Sequence, residues 1–175
     1  MGQQDEQGID RRTLLARGGA VAAGALGATV ASVAAAAPAL AAGLGFTPMT
    51  PYRSYDSRND PAGKIRSGQF FGLQLISDEN GNPKVPVEAQ AVTFNLTVTQ
   101  TETVGYLGLV PGNTPPPFTV SNINWVASGV DLANGGTTAI ALDPDSGSGS
   151  VRVYCNGAPT AGTHLIIDVT GYFSA

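Results

Sequence analysis

From residue 46 onward hydrophobic and polar side chains alternate with a period of two, and no apolar stripe of helical spacing has useful length. The clearest case is residues 91–99, where Val92, Phe94, Leu96 and Val98 face one way and Thr93, Asn95, Thr97 and Thr99 the other. β-Branched and aromatic residues fill this stretch, as an antiparallel strand with one wet face requires. Residues 151–155 repeat the pattern, with Val151, Val153 and Cys155 inward and Arg152 and Tyr154 outward. Residues 163–173 set Leu165, Ile167 and Val169 against His164, Ile166, Asp168 and Thr170. Further strands are expected at 69–76, 105–110, 118–126 and 137–142.

Turn-forming clusters separate these runs: Asp78-Glu79-Asn80-Gly81-Asn82-Pro83, Pro111-Gly112-Asn113, Asn134-Gly135-Gly136 and residues 143–149. Short strands between frequent turns predict an all-β antiparallel sandwich, Greek-key or jelly-roll-like, of about eight or nine strands. Pro115-Pro116-Pro117 has no backbone donors and is expected in a loop or at an edge, as a rigid arm near one end of the sandwich.

Composition narrows the function. The chain has 175 residues, 42% of them hydrophobic and only 13% charged, with 23 Gly and 12 Pro. That suits one turn-rich domain and argues against wholesale disorder. A net charge of −4 gives no general electrostatic grip on nucleic acid, so none is expected as a partner. One His and one Cys remove most metal and nucleophile schemes. Cys155 has no partner, so the fold must stand without an intrachain disulfide.

The first 45 residues differ in kind. Asp10-Arg11-Arg12-Thr13-Leu14-Leu15 places an arginine pair before an uncharged stretch, residues 18–44, made mostly of Ala, Gly and Val. Ala39-Leu40-Ala41 supplies the small residues that a signal peptidase accepts. Together these resemble a twin-arginine (Tat) export signal. A competing reading is an uncleaved anchor, since about 20 apolar residues span a bilayer. Ala and Gly favour insertion far less than Leu, Ile or Phe, so cleavage is expected. The division is then a signal peptide over 1–41, a linker over 42–45 and the sandwich over 46–175. The mature protein would be secreted or held at the cell surface, with no membrane segment.

Three stretches carry a family resemblance: Phe46-Thr47-Pro48 with Pro51-Tyr52-Arg53-Ser54-Tyr55-Asp56-Ser57-Arg58, then Ser121-Asn122-Ile123-Asn124-Trp125, then Ile167-Asp168-Val169-Thr170-Gly171-Tyr172-Phe173. Phe94-Asn95-Leu96-Thr97-Val98-Thr99 fits the same pattern. The chain resembles a β-sandwich domain of secreted actinobacterial proteins, whose terminal Asp-Val-Thr-Gly-Tyr-Phe is the most specific piece. The resemblance implies export and a sandwich, often attached to cell-wall enzymes, and leaves the domain's own activity undefined. Where that pattern often reads Pro-Cys-Arg, this chain has Tyr52, and a partner for Cys155 is missing.

Candidate chemistry is sparse. A Ser-His-Asp relay would need His164 with an acid such as Asp168, but no Gly-x-Ser-x-Gly elbow exists and His164 sits in a strand-like stretch. Glu88, Glu102 and Asp131 offer carboxylates for a hydrolase, with no spacing that selects a pair. Asp143-Pro144-Asp145 and Asp78-Glu79-Asn80 space oxygen donors as calcium loops do. Both lack the Gly and Glu that complete such a loop, so turns are expected, with no metal and no cofactor. Arg53, Asp56, Arg58 and Asp168 concentrate charge, and a cross-strand ion-pair cluster that closes the sheet is expected. Simple alternation puts Asp56 and Arg58 on one face and Arg53 on the other.

Aromatics raise the question of sugar stacking. Tyr52, Tyr106, Trp125 and Tyr172 are candidates, with Asn122 and Asn124 as hydroxyl ligands. Trp125 lies beside Ile123 and Val126 and is expected in the core. The sequon Asn95-Leu96-Thr97 falls inside a strand and is discounted. The favoured binding element is the loop over 111–117, where Pro115, Pro116 and Pro117 lower the entropy cost of docking and lead into Phe118, with Tyr106 on the preceding strand.

The leading expectation is an exported, non-catalytic module that binds cell-wall polysaccharide or another surface protein. The alternatives are a structural surface protein that assembles with itself through edge strands, and a small hydrolase whose acids meet only in the fold. Export is directly checkable. The double variant Arg11→Lys, Arg12→Lys should stay inside the cell, and the exported wild type should begin at Ala42. Export of the double variant at normal yield would contradict the Tat reading.

Overall fold

Alternating strands must stack in two layers, because each has one face that has to leave water. The computed structural model describes residues 43–141 and 149–175, and among them nine strands form and no helix. They are β1 (Gly45–Asp56), β2 (Ile65–Arg66), β3 (Phe70–Gln74), β4 (Ala91–Glu102), β5 (Gly105–Pro111), β6 (Ile123–Trp125), β7 (Leu132–Ala139), β8 (Ser150–Gly157) and β9 (Gly162–Ser174). One sheet runs β1-β9-β4-β7, with β2 also on β9, and the other runs β3-β8-β5-β6. All pairings are antiparallel.

The pairs β1/β9, β3/β8, β4/β7 and β5/β6 nest inside one another along the chain. The polypeptide is therefore one long antiparallel ribbon whose tip lies between β5 and β6. Wrapping that ribbon brings β9 onto β4 and β8 onto β5, which makes a jelly roll. The expected sandwich is the fold observed.

The core lies between the sheets. Val92, Phe94, Leu96 and Val98 of β4 and Leu165, Ile167 and Val169 of β9 pack with Leu107 and Leu109 of β5, Trp125 of β6, and Val151, Val153 and Cys155 of β8. Each side chain of this size contributes about 1.5–3 kcal/mol on burial.

Three expected boundaries moved. Asn134-Gly135-Gly136 is not a turn but the middle of β7. Gly136 lies against Phe94, and a Cβ there would come within 2.8 Å of the ring, so the core aromatic selects glycine inside a strand. The strand expected over 118–126 shrinks to Ile123–Trp125, because Phe118 leaves the ladder to lie on Tyr154. The strand expected at 137–142 begins earlier and ends at Ala139. β1 carries Pro48 and Pro51, which an edge strand tolerates, and its register shifts between Pro48 and Tyr52 and again between Arg53 and Tyr55.

Ile167 sits opposite Leu96 on one side and Tyr55 on the other, fully buried. Ile167→Ala should lower stability by about 2–5 kcal/mol. Urea unfolding should show a lower midpoint with an unchanged slope.

Candidate functional site

The outward face of the β3-β8-β5-β6 sheet is where aromatic and amide side chains converge. Alternation sends Arg152, Tyr154 and Asn156 outward from β8, Tyr106 and Gly108 from β5, Phe70 and Gly72 from β3, and Asn124 from β6. Register then places Phe70, Tyr154 and Gly108 in one row across three strands. Tyr106 lies opposite Asn124 on one side and Asn156 on the other.

Gly108 provides the seat of the cluster. A Cβ there would come within 2.4 Å of the Tyr154 ring and hydroxyl, so the phenol can lie across β5 only because the position is bare. Tyr154 is 3% exposed although it points away from the core. Its hydroxyl donates to the Val120 carbonyl, and Phe118 stacks on its ring at 4.6 Å between centroids. Burial pushes the Tyr154 phenol above its ordinary value. Phe70 meets Phe118 edge-on at 5.2 Å, and Tyr106 meets Tyr154 edge-on at 6.3 Å. Rings in such tilted contacts gain about 0.5–1.5 kcal/mol beyond area burial.

The exposed part of this face is chemically mixed. Phe70 is 48% exposed and also lines an open cleft of about 530 Å³ with Tyr55, Lys64, Arg66 and Gln69. The Tyr106 hydroxyl and the Asn124 amide have no hydrogen-bond partner among the described residues. The Asn156 side-chain oxygen Oδ1 accepts from Gly157 N at 2.8 Å. The guanidinium of Arg152 lies 5.9 Å from the Phe70 ring centre and donates through Nη1 to the Thr114 carbonyl at 2.6 Å.

The sequence candidates distribute unevenly around this face. Tyr106, Phe118 and Asn124 belong to it, and Pro115, Pro116 and Pro117 stand exposed on the loop leading into Phe118. Asn122 does not, since its side-chain oxygen accepts from Leu109 N at 2.7 Å. Trp125 is in the core at 1% exposure, with Nε1 donating to the Glu102 carbonyl at 3.4 Å. Tyr52 donates to the Leu75 carbonyl at 2.6 Å, and Tyr172 is half-buried against the core. Local sequence pattern does not mark Phe70, Arg152 or Asn156 as site residues. Alternation along β8 already turned Arg152 outward, and one further step reaches Asn156. What it could not show is that Phe70 lies on the neighbouring strand.

A second cluster lies at the β1/β9 seam. Arg53 Nε donates to Asp168 at 3.0 Å and Nη1 to Asp56 at 3.2 Å, while Arg58 forks onto Asp56 at 2.9 and 2.6 Å. The four residues expected to meet do meet, but not by simple alternation. The register shift between Arg53 and Tyr55 brings Arg53 and Asp56 to the same face, and Ser54 Oγ donates instead to the carbonyls of Gln74 and Ser77. The Arg58 guanidinium holds the Asp56 carboxyl below its ordinary value.

The remaining titratable groups are occupied by structure. Ser57 Oγ accepts from Leu165 N at 2.9 Å and lies 3.0 Å from His164 Nδ1, while Ser57 itself is 1% exposed. Burial, aided by Lys64, lowers the His164 pKa, which suits a neutral imidazole accepting the Ser57 proton. Asp168 faces Arg53 rather than His164. Cys155 is buried, and burial pushes its thiol up to about 11. Asp78 accepts from Asn80 N, Asn82 N and the Asn82 amide, a closed turn that holds it at about 2. Asp131 accepts from Thr99 and from Gln100 N, and Glu102 from Lys64 and Arg66. No group of three or more His, Cys, Asp or Glu stands ready to hold a metal among the described residues. Arg11, Arg12, Ala39, Ala41, Asp143 and Asp145 lie outside them.

Compared with protein-family models, curated proteins and solved structures, the chain matches none.

The Glu102 cluster makes a pH prediction. Lys64 and then Arg66 lower its carboxyl from 4.5 to about 2. A depressed carboxylate contributes stability that is present above its unfolded value and lost as pH falls through the folded one. Stability should therefore decline between about pH 5 and pH 2, and Glu102→Gln should flatten part of that slope in denaturation curves taken across the window.

Proposed function

We propose that this protein is an exported, non-catalytic module that holds cell-wall glycan on the outer face of the β3-β8-β5-β6 sheet. The observation that carries the reading is one juxtaposition. The Tyr106 hydroxyl and Asn124 amide, neighbours on adjacent strands, have no hydrogen-bond partner among the described residues, and they border a ring cluster in which Tyr154 is buried and Phe70 is 48% exposed. Pyranose rings present apolar C–H faces rimmed by hydroxyls, so an aromatic surface bordered by amide and phenol groups complements both parts. The exposed Pro115, Pro116 and Pro117 form the rim of the same site beside Phe118.

Other features agree with this reading. The N-terminal sequence supports Tat export and cleavage after Ala41, leaving a linker and the domain over 46–175. The resemblance to the secreted actinobacterial sandwich supports the same location, secreted or at the cell surface. A hydrolase asks for one carboxylate kept protonated, whereas Asp56, Asp60, Asp78, Glu102 and Asp131 all move the other way. A second reading, self-assembly at the surface, is favoured by β7. This edge strand has no charge, no proline and an unbroken register along Leu132–Ala139.

Sedimentation with purified cell wall tests the proposal. Tyr106→Ala combined with Asn124→Ala should cut retention about tenfold while leaving the melting temperature almost unchanged. Unchanged retention would place binding elsewhere. Concentration-dependent scattering without wall binding would favour self-assembly.

A further inference from the structure

Most cations of the sandwich are already spent on carboxylates. Arg53 and Arg58 share Asp56, Lys64 and Arg66 share Glu102, and Lys84 lies 3.3 Å from Asp78. Arg152 differs. Among the described residues it has no carboxylate partner, in a chain whose net charge is −4. It stands on the aromatic face rather than at a sheet seam.

Local geometry explains how it is held there. Opposite Arg152 on β3 is Gly72, which has no side chain to block it, and the guanidinium leans diagonally over Phe70. The Thr114 carbonyl accepts from Nη1 and fixes one corner of the plane. Among the described residues the Nε and Nη2 N–H groups, which form the two-pronged edge that suits a carboxylate, have no hydrogen-bond partner. A guanidinium packed on a ring and tethered at one corner has lost much of its rotamer freedom before any ligand arrives, so little more is lost on binding.

We infer that Arg152, seated over Phe70, is the subsite for a carboxylate-bearing sugar, such as a uronic acid residue, on a chain stacked along this face. The inference rests on the glycan reading above and narrows it to acidic polymers. Phe70 supports the ring of the sugar, and the Nε/Nη2 edge of Arg152 receives its carboxylate as a fork. Charge complementarity fixes the class of ligand. An acidic protein repels acidic polymers in general, so one unpaired cation on the binding face selects where and how such a polymer lies.

The test uses the full chain with two defined probes, polygalacturonate and the same polymer methyl-esterified, read by affinity electrophoresis beside retention on purified cell wall. Wild type should bind the acid polymer about tenfold more tightly than the ester. Arg152→Gln should erase that preference, bringing both polymers to the ester level, with a melting temperature close to wild type. Should Arg152→Gln fail to fold, Arg152→Lys keeps the charge, loses the fork, and should lose most of the preference. Equal binding of the two polymers, binding of neither, or a preference that survives these substitutions overturns the inference. Wall retention separates the two ideas. If wild type still sediments with wall and Tyr106→Ala weakens it, the glycan reading stands without the acidic subsite. If wall retention is absent as well, both fall.

Discussion

The register of β9 is the constraint on which the sandwich depends. This strand of 13 residues pairs with β1, β2 and β4, so its alternation sets the inside and outside of a whole sheet. Leu165, Ile167 and Val169 point into the core, and His164, Asp168 and Thr170 point out. A slip of one residue would carry Asp168 and His164 inward and break both the Arg53 ion pair and the Ser57 contact. The short link after β8 couples that register to the second sheet. Val151, Val153 and Cys155 close the core against it, and this same choice turns Arg152, Tyr154 and Asn156 toward the solvent side. The proposed binding face is thus a consequence of how the core closes.

The two outer faces of the sandwich are used differently. On the β1-β9-β4-β7 sheet polar groups satisfy one another: Thr93 bonds Thr170 at 2.9 Å, Asn95 bonds Thr97 at 3.2 Å, and the arginines of β1 close on Asp56 and Asp168. The exposed Arg53–Asp168 pair is worth about 0–1 kcal/mol, so it defines the register more than it stabilises the fold. On the other sheet the outward rings pack on one another, while the Tyr106 hydroxyl, the Asn124 amide and the fork of Arg152 have no partner among the described residues. Stability resides in the core between the sheets, and that leaves the outer face free for the proposed recognition.

Much of this was legible in the chain, for reasons that differ by element. β4, β8 and β9 alternate cleanly, and their inner residues could be named from period alone. β7 was hidden because Gly135 and Gly136 are turn residues by chemistry, and only the position of the Phe94 ring explains a glycine there. The register shift around Ser54 was equally invisible, since a bulge reverses the face of everything beyond it without altering composition. In the candidate site Tyr106, Phe118 and the proline loop stood out locally. Phe70 and Arg152 did not, because alternation tells which way a side chain points and not which strand lies alongside. That information belongs to the wrapping of the ribbon.

The most direct measurement is a map of backbone and side-chain NMR shifts during titration with soluble fragments of cell-wall glycan. Perturbations should cluster on Phe70, Tyr106, Phe118, Asn124, Arg152 and Asn156, with β4, β9 and the β1 seam unmoved. Perturbations centred on the β7 edge or on the Thr93–Thr170 face, with the aromatic face silent, would contradict it.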